Sequence, residues 1–455
     1  MNGDQRRELK MIMNAFIDGD LETPPLCTVA QNGDAGLVMV LLEKFGADKN
    51  CKDTDGHTPL IHAAVEDHVP VVKTLLHSGA DLYVADLEGL NAFHLAALNG
   101  NDDTVDALLA AGVDLNITAN NGTTALHLAS EKEHGDVVVA LLKAGADYSI
   151  AAINGVTALH TAAFSADARM VDALLASGAD KEARDDTGST PLLNAADDGN
   201  DEVVETLLIA GAKISACDMN GHSALWCAAY KGHLRVVKTL LAARADVNMV
   251  CVLGQSALHN ASRFGHNDVA RTLLLGGADK DVTDNNHWVT PLMAAVIYGQ
   301  LAVAVTLLEA GANLTIQSSD GDTALHIAAL YVKVDYVRLL LRWGADERTV
   351  NEKGKTPRTV VDELGYGVNE ENRESARQLL ARAPADRADR VWRRRGWLVI
   401  LRKRMDDARK VHPKKQKSGV GGDTGGSEGQ SLVLVVVAAT LGSTDELFRN
   451  VVSFL

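Results

Sequence analysis

Glycine returns every 33 residues along most of this chain, at Gly56, Gly89, Gly122, Gly155, Gly188, Gly221 and Gly254. A second series keeps step with it in the triplets Gly46-Ala47-Asp48, Gly79-Ala80-Asp81, Gly112-Val113-Asp114, Gly145-Ala146-Asp147 and Gly178-Ala179-Asp180. That series continues at Gly211, Gly277, Gly311 and Gly344. A fixed period of this size means one supersecondary unit copied end to end, not a single globular core. Such a stack has a long surface and no natural catalytic cleft, because each copy contacts only its neighbours. Aromatics make up only 4% of a chain that is 46% hydrophobic. Thin layers of Ala, Leu and Val packed helix on helix fit that balance.

Residues 53–86 show one unit. Asp53 to Gly56 reads as a turn, with Gly free to take a left-handed conformation. Thr58-Pro59 reads as a helix start: the hydroxyl caps free N–H groups and Pro is pre-set for the first helical position. Leu60, Ala63 and Ala64 make a short apolar face. Val71, Val72, Leu75 and Leu76 make one face of a second helix, which Gly79 ends as a C-cap. Residues 81–88 return as an extended loop. One such unit cannot bury both helices, so neighbours must do it.

The repeated first helix reads TPLIHAA at 58–64, NAFHLAA at 91–97, TALHLAS at 124–130, TALHTAA at 157–163 and TPLLNAA at 190–196. It continues as SALWCAA at 223–229, SALHNAS at 256–262, TPLMAAV at 290–296 and TALHIAA at 323–329. These segments resemble the T-P-L-H-x-A signature of the ankyrin repeat, over roughly residues 24–382. The resemblance implies an all-α solenoid of about ten stacked helix pairs with hairpin-like loops. At roughly 10 Å per layer it would be a curved, elongated stack about 100 Å long. Three departures stand out. The turn Asn285-Asn286-His287-Trp288-Val289 is one residue longer than the others, and Arg244 stands where a C-cap Gly is expected. Residues 1–22 read as a truncated capping segment ahead of the array at 23–382. The last unit carries Arg358, Asp362 and Glu363 where inner units are apolar, the polar outer face a terminal cap needs.

The net charge of −16 conceals a split, because the array is acidic while residues 386–417 are strongly basic. An acidic array argues against a grip on nucleic acid, where phosphate neutralisation dominates affinity. The basic segment, placed at 383–418, reads as a solvated helix on the last unit, an anionic-membrane or anionic-partner helix, or a nuclear-import or nucleic-acid patch. Residues 419–430 read as a glycine-rich linker. They carry no Lys-Ser/Thr, so they are no phosphate loop. Residues 431–455 contain a capping box at Ser443 to Glu446 and a short amphipathic element. The five cysteines lack paired spacing and read as reduced thiols of an intracellular, cytoplasmic or nuclear protein. A signal-peptide core is absent, and the longest apolar run, near Leu432 to Leu441, is too short to span a bilayer.

No catalytic or cofactor motif is present, so neither an enzyme nor a cofactor is expected. His94, His127, His160, His259 and His326 recur in register, and the resemblance implies that they hydrogen-bond inter-repeat backbone. The candidate binding residues form two stripes. Tyr230, Phe264, Tyr298 and Tyr331 lie at the ends of first helices, with Trp288 in the enlarged turn; aromatics there offer rigid contact area for a protein partner. Asp53, Asp55, Asp86, Glu88, Asp185, Asp186 and Asp218 line the turns, where they steer a basic partner or simply keep a long array soluble. The reading is a monomeric scaffold or adaptor that binds a protein partner through the concave face and turn tips. The alternatives are a membrane tether through 386–417 and a purely structural spacer.

Overall fold

A computed structural model describes residues 23–383 apart from 166 and 365–368, together with Arg7, Lys10 and Met11. Contacts divide the chain after Arg390, and every described residue lies on the N-terminal side of that boundary. The expectations for 1–22 as a cap and for residues beyond 383 lie outside the described residues.

Eleven helix pairs follow one another among the described residues, one more than the repeat count suggested. Units 1 to 4 are Pro25–Gln31 with Ala35–Phe45, Pro59–Val65 with Val69–His77, Ala92–Asn99 with Asp102–Ala110, and Ala125–Glu131 with Gly135–Ala144. Units 5 to 8 are Ala158–Phe164 with Ala168–Ala176, Pro191–Asp198 with Asp201–Ile209, Ala224–Lys231 with Leu234–Ala242, and Ala257–Phe264 with Asn267–Leu275. Units 9 and 10 are Pro291–Tyr298 with Leu301–Glu309 and Ala324–Leu330 with Val334–Trp343. Unit 11 pairs Pro357–Asp362 with 370–383. Its Arg358, Asp362 and Glu363 are exposed.

From unit 2 on, each first helix starts on a Thr, Ser or Asn at its cap position. The Thr58 hydroxyl accepts from the Ile61 N–H at 3.2 Å, ahead of Pro59 at the first helical position. First helices pack on first helices of adjacent units and second helices on second helices, and each pair packs on itself. The first helix is therefore covered on nearly every side, as in unit 3, where Ala92 through Ala97 are all buried. The second helix buries one stripe, Val71, Val72 and Leu75 in unit 2. A fully buried Val or Leu contributes about 1.5–3 kcal/mol, and one apolar cluster runs from Leu26 to Ala383.

Two deviations from the repeat are absorbed by backbone. Arg244 takes the left-handed conformation of the glycine it replaces, at φ 66. The Ala245 N–H still reaches the Leu240 carbonyl at 2.9 Å, so the cap survives at the expense of the roughly 1–2 kcal/mol that a side chain costs there. In the enlarged turn the Asp284 carboxylate accepts from the Val289 N–H at 3.0 Å, spanning five residues instead of four. The extra residue is accommodated by Trp288 at φ 53, which leaves its ring 56% exposed.

Candidate protein-binding face

The in-register histidines are structural. The Nδ1 of His94, His127, His160, His259 and His326 accepts from the backbone N–H of its own helix cap, as in Thr124 N–H to His127 at 3.3 Å. Each Nε2 donates to a carbonyl at the next turn, from 2.9 Å at Val289 to 3.1 Å at Val156 and Ser189. Burial holds all five imidazoles below their ordinary value of 6.5, against the opposing pull of those carbonyls. A depressed folded pKa means that the unfolded chain binds more protons below pH 6.5, so stability falls as pH drops from there toward the folded values. Hydrogen exchange at pH 7.5 and 5.5 should show loss of protection first in units 3 to 5, which carry His94, His127 and His160 consecutively. Units 6 and 9, with Leu193 and Met293 in that register, should resist longer.

A second set of junction bonds has no counterpart in the sequence reading. Histidines before the second helices reach back about one unit: His68 to the Gln31 carbonyl at 2.9 Å, His134 to Leu98 at 3.0 Å, His233 to Asp197 at 2.9 Å and His266 to Tyr230 at 3.1 Å. Elsewhere Asn101, Asn200, Gln300 and Lys333 perform the same task. Register alone would have exposed it, since a strong donor occupies this position in unit after unit.

The aromatic candidates fall into a connected group and two outliers. Tyr230 and Phe264 meet edge to face, centroids 4.6 Å apart, across the junction of units 7 and 8. The Arg263 guanidinium lies 5.3 Å from the Phe264 centroid and 4.7 Å from that of Tyr298, tying in unit 9. Trp226, absent from the sequence candidates, extends the group on the other side. Its ring stacks on Tyr230 at 5.4 Å and on His222 at 3.8 Å. A spacing of four residues puts Trp226 and Tyr230 on one helix face, a signal the sequence already held. Tyr331 stands one unit further on, under Lys333 at 5.8 Å; its neighbour Val332 is held at φ 51 in the place of a cap glycine. Among the described residues no ring of the group contacts Trp288. Exposure runs from 37% at Tyr230 through 39% at Phe264 and 48% at Tyr298 to 53% at Tyr331.

The acidic stripe divides in two. Asp53, Asp86, Asp185 and Asp218 occupy one register position and are half-buried. One oxygen of each accepts two backbone N–H groups of its own turn, as Asp53 does from Asp55 at 3.0 Å and His57 at 2.7 Å. Burial raises the Asp53 pKa, but the His57 N–H and the His62 ring outweigh it and hold the carboxyl below its ordinary range. Asp55, Glu88 and Asp186 are exposed. The tips are joined laterally by main-chain bonds such as Asn120 N–H to the Glu88 carbonyl at 3.1 Å and Asp186 N–H to Asn154 at 3.0 Å.

A stack of cap-started helix pairs, hairpin turns and inter-unit imidazole bonds defines a helical repeat module whose work is done on its surface. The chain belongs to the ankyrin repeat family: it matches the family described as ankyrin repeats (3 copies) over residues 5–86, 78–152, 149–218, 192–284, 258–351 and 292–386. Ankyrin repeats are general protein–protein interaction modules. The chain is 40% identical over 65 residues to ankyrin repeat protein L92 of Acanthamoeba polyphaga mimivirus, 14% of this chain and 16% of that protein. It is 30% identical over 125 residues to potassium channel AKT2/3 of Arabidopsis thaliana, 27% of this chain and 15% of the channel. It is 39% identical over 79 residues to protein phosphatase 1 regulatory subunit 12A of Mus musculus, 17% of this chain and 8% of the subunit. This chain therefore covers well under a fifth of each of these relatives. Among the described residues no helix is long and apolar enough to cross a membrane.

Proposed function

We propose that this chain is a non-catalytic scaffold that binds a protein partner on the face made by Trp226, Tyr230, Phe264, Arg263 and Tyr298. The observation that carries the reading is the unbroken path of rings and guanidinium across units 7 to 9, half-buried at Trp226 and exposed at Tyr230, Arg263, Phe264 and Tyr298, in a chain so poor in aromatics. Arg and aromatic side chains dominate binding energy at protein interfaces, and here they are held in place by stacking before any partner arrives, which lowers the entropy cost of docking. Tyr331 and Trp288 would flank that centre, while the exposed Asp55, Glu88 and Asp186 further along the array would favour a partner that also carries basic charge. The regulatory-subunit relative is in keeping with a binding role.

The basic run at 386–417 would then link the bound protein to a second, anionic partner or surface, which makes the chain an adaptor. Affinity capture with quantitative mass spectrometry tests both parts. The Tyr230→Ala/Phe264→Ala/Tyr298→Ala protein should lose its partner at least about 30-fold, the equivalent of one hot spot of about 2 kcal/mol. Deletion of 386–455 should leave that partner bound and remove a different set. Equal capture by the intact and triple-variant proteins, with both folded by circular dichroism, would leave the spacer reading in its place.

A further inference from the structure

Unit 2 departs from the repeat in a way that folding does not explain. Its first helix carries Ile61 where units 3 to 5 carry the structural histidine, and a histidine stands one residue on, at His62. Units 3 and 4 have leucine at that position, Leu95 and Leu128. A second histidine, His57, sits at the end of the same turn, where units 3 and 4 have Leu90 and Thr123. The two rings face each other edge on, centroids 5.4 Å apart.

Two carboxylates flank the rings, Asp53 at His62 and Asp86 at His57. Asp53 and Asp86 each use Oδ1 to accept from their own turns, at 2.7–3.0 Å, which leaves both Oδ2 atoms for the histidines. Asp53 Oδ2 lies 2.8 Å from His62 Nε2, and Asp86 Oδ2 lies 3.7 Å from His57 Nε2. One donor atom from each of Asp53, His57 and His62 falls within 4.8 Å of the others, and among the described residues no other trio of such groups converges in this way. A tetrahedral zinc ion with bonds of 2.0–2.1 Å holds its ligand atoms about 3.3 Å apart, between the 2.8 Å that separates Asp53 Oδ2 from His62 Nε2 and the 4.8 Å limit within which the trio falls; Asp86 stands outside the trio, against His57. The carboxylates are oriented by backbone N–H groups, the outer-shell support that metal sites need. Only 7% of the Asp53, 8% of the Asp86 and 12% of the His62 side chain is exposed, while His57 at 31% leaves an entry path.

Unit 7 supplies an internal comparison. The same four register positions hold Asp218, His222, Cys227 and Cys251. There Trp226 takes the place of Ile61, His222 stacks on it at 3.8 Å and bonds Asp218 through Nδ1 at 2.8 Å. That ring is committed, and the four groups do not converge.

We propose that Asp53, His57 and His62 form a binding site for a divalent transition-metal ion, zinc by its preference for imidazole and carboxylate, with water completing the coordination and Asp86 as the outer-shell partner of His57 that braces the turn of unit 2 against that of unit 3. The ion takes the place of the hydrogen bond between Asp53 Oδ2 and His62 Nε2, whose proton is released to solvent. This site lies far along the array from units 7 to 9 and does not depend on them as a binding face.

Zinc titration of the full-length protein against a chromophoric chelator tests the proposal, with Co2+ as spectroscopic probe. His62→Leu, His57→Thr and Asp86→Asn are chosen because other units fold with Leu128, Thr123 and Asn351 at those positions; Asn351 Oδ1 still accepts from Lys353 and Lys355. The expected result is one zinc per chain, weakened by more than about 100-fold in His62→Leu and His57→Thr, and in Asp86→Asn by the roughly 10–100-fold that loss of an outer-shell partner costs. The Co2+ complex should show ligand-field bands without a thiolate charge-transfer band. That distinction matters because Cys27 and Cys51 lie nearby, with Sγ atoms 3.8 Å apart and Cys27 Sγ 3.8 Å from the His57 carbonyl. Cys51→Ser should retain full affinity. The proposal is overturned if the folded His62→Leu and Asp86→Asn proteins bind zinc as the parent does, if the Co2+ spectrum reports thiolate, or if no stoichiometric binding occurs.

Discussion

Phe93→Ala is expected to cost about 3–5 kcal/mol, yet to leave most of the protein folded. Phe93 is fully buried and is the bulkiest such side chain in the array. It fills the register position that Leu60, Leu126 and Leu159 hold in neighbouring units, between the first helices of units 2 and 4. Removing the ring leaves a void that small alanines on either side, Ala63, Ala64 and Ala129, cannot close. In a compact domain such a loss would lower the stability of the whole. Here each unit is stabilised by its neighbours alone, so the effect should stay local. Hydrogen exchange should show faster amides in 59–77, 92–110 and 125–144, with 291–343 unchanged. Phe93→Leu, which restores the residue of the flanking units, should recover most of the loss. A uniform fall in protection across the array would mean that the units unfold as one, contrary to the nearest-neighbour picture.

The second large effect joins backbone conformation to the proposed binding face. Gly232 ends the first helix of unit 7 at φ 86, and a Cβ there would sit 2.5 Å from Nδ1 of His266. The His266 ring bonds the Tyr230 carbonyl at 3.1 Å and stacks on Phe264 at 6.3 Å. Gly232→Ala should therefore cost about 2–3 kcal/mol, part from the left-handed backbone and part from the displaced hydrogen bond. Gly145→Ala is the control, because Gly145 has φ 93 and open space around its missing side chain. It should show the conformational part alone, about 1–2 kcal/mol. Thermal or denaturant melts measure the difference, and partner capture should fall only in Gly232→Ala, where the shifted ring pushes on Phe264. Equal penalties at the two glycines would show that the His266 contact stabilises nothing.

The two stripes read from the sequence fared differently, for reasons that can be named. Phe264 and Tyr298 are visible in the sequence because they recur, with Tyr331, at one place on successive first helices, and Tyr230 stands one residue earlier in its unit. What joins them is Arg263, an ordinary exposed residue until its guanidinium is seen lying over two rings from different units. Trp226 occupies the structural-histidine register, which masks it in the sequence, although its four-residue spacing from Tyr230 is readable there. In the acidic stripe, composition grouped Asp53, Asp86, Asp185 and Asp218 with the exposed tips. Their shared position ahead of each turn glycine makes them turn caps, with one oxygen already taken by backbone.

Read alone, the chain was enough to establish the module, its register and its helix boundaries. These rest on local rules: a hydroxyl and a proline start a helix, a glycine ends it, and a fixed period aligns the apolar faces. Which side chains meet across a junction was decided only by the stacking of units, because a residue's partner lies between 23 and 39 positions away and depends on how each ring turns. His57 and His62 converge with Asp53, whereas His222, at the same register as His57, is drawn aside by Trp226. Identical positions in a repeat thus acquire different surroundings from single neighbours, and that difference is set in three dimensions.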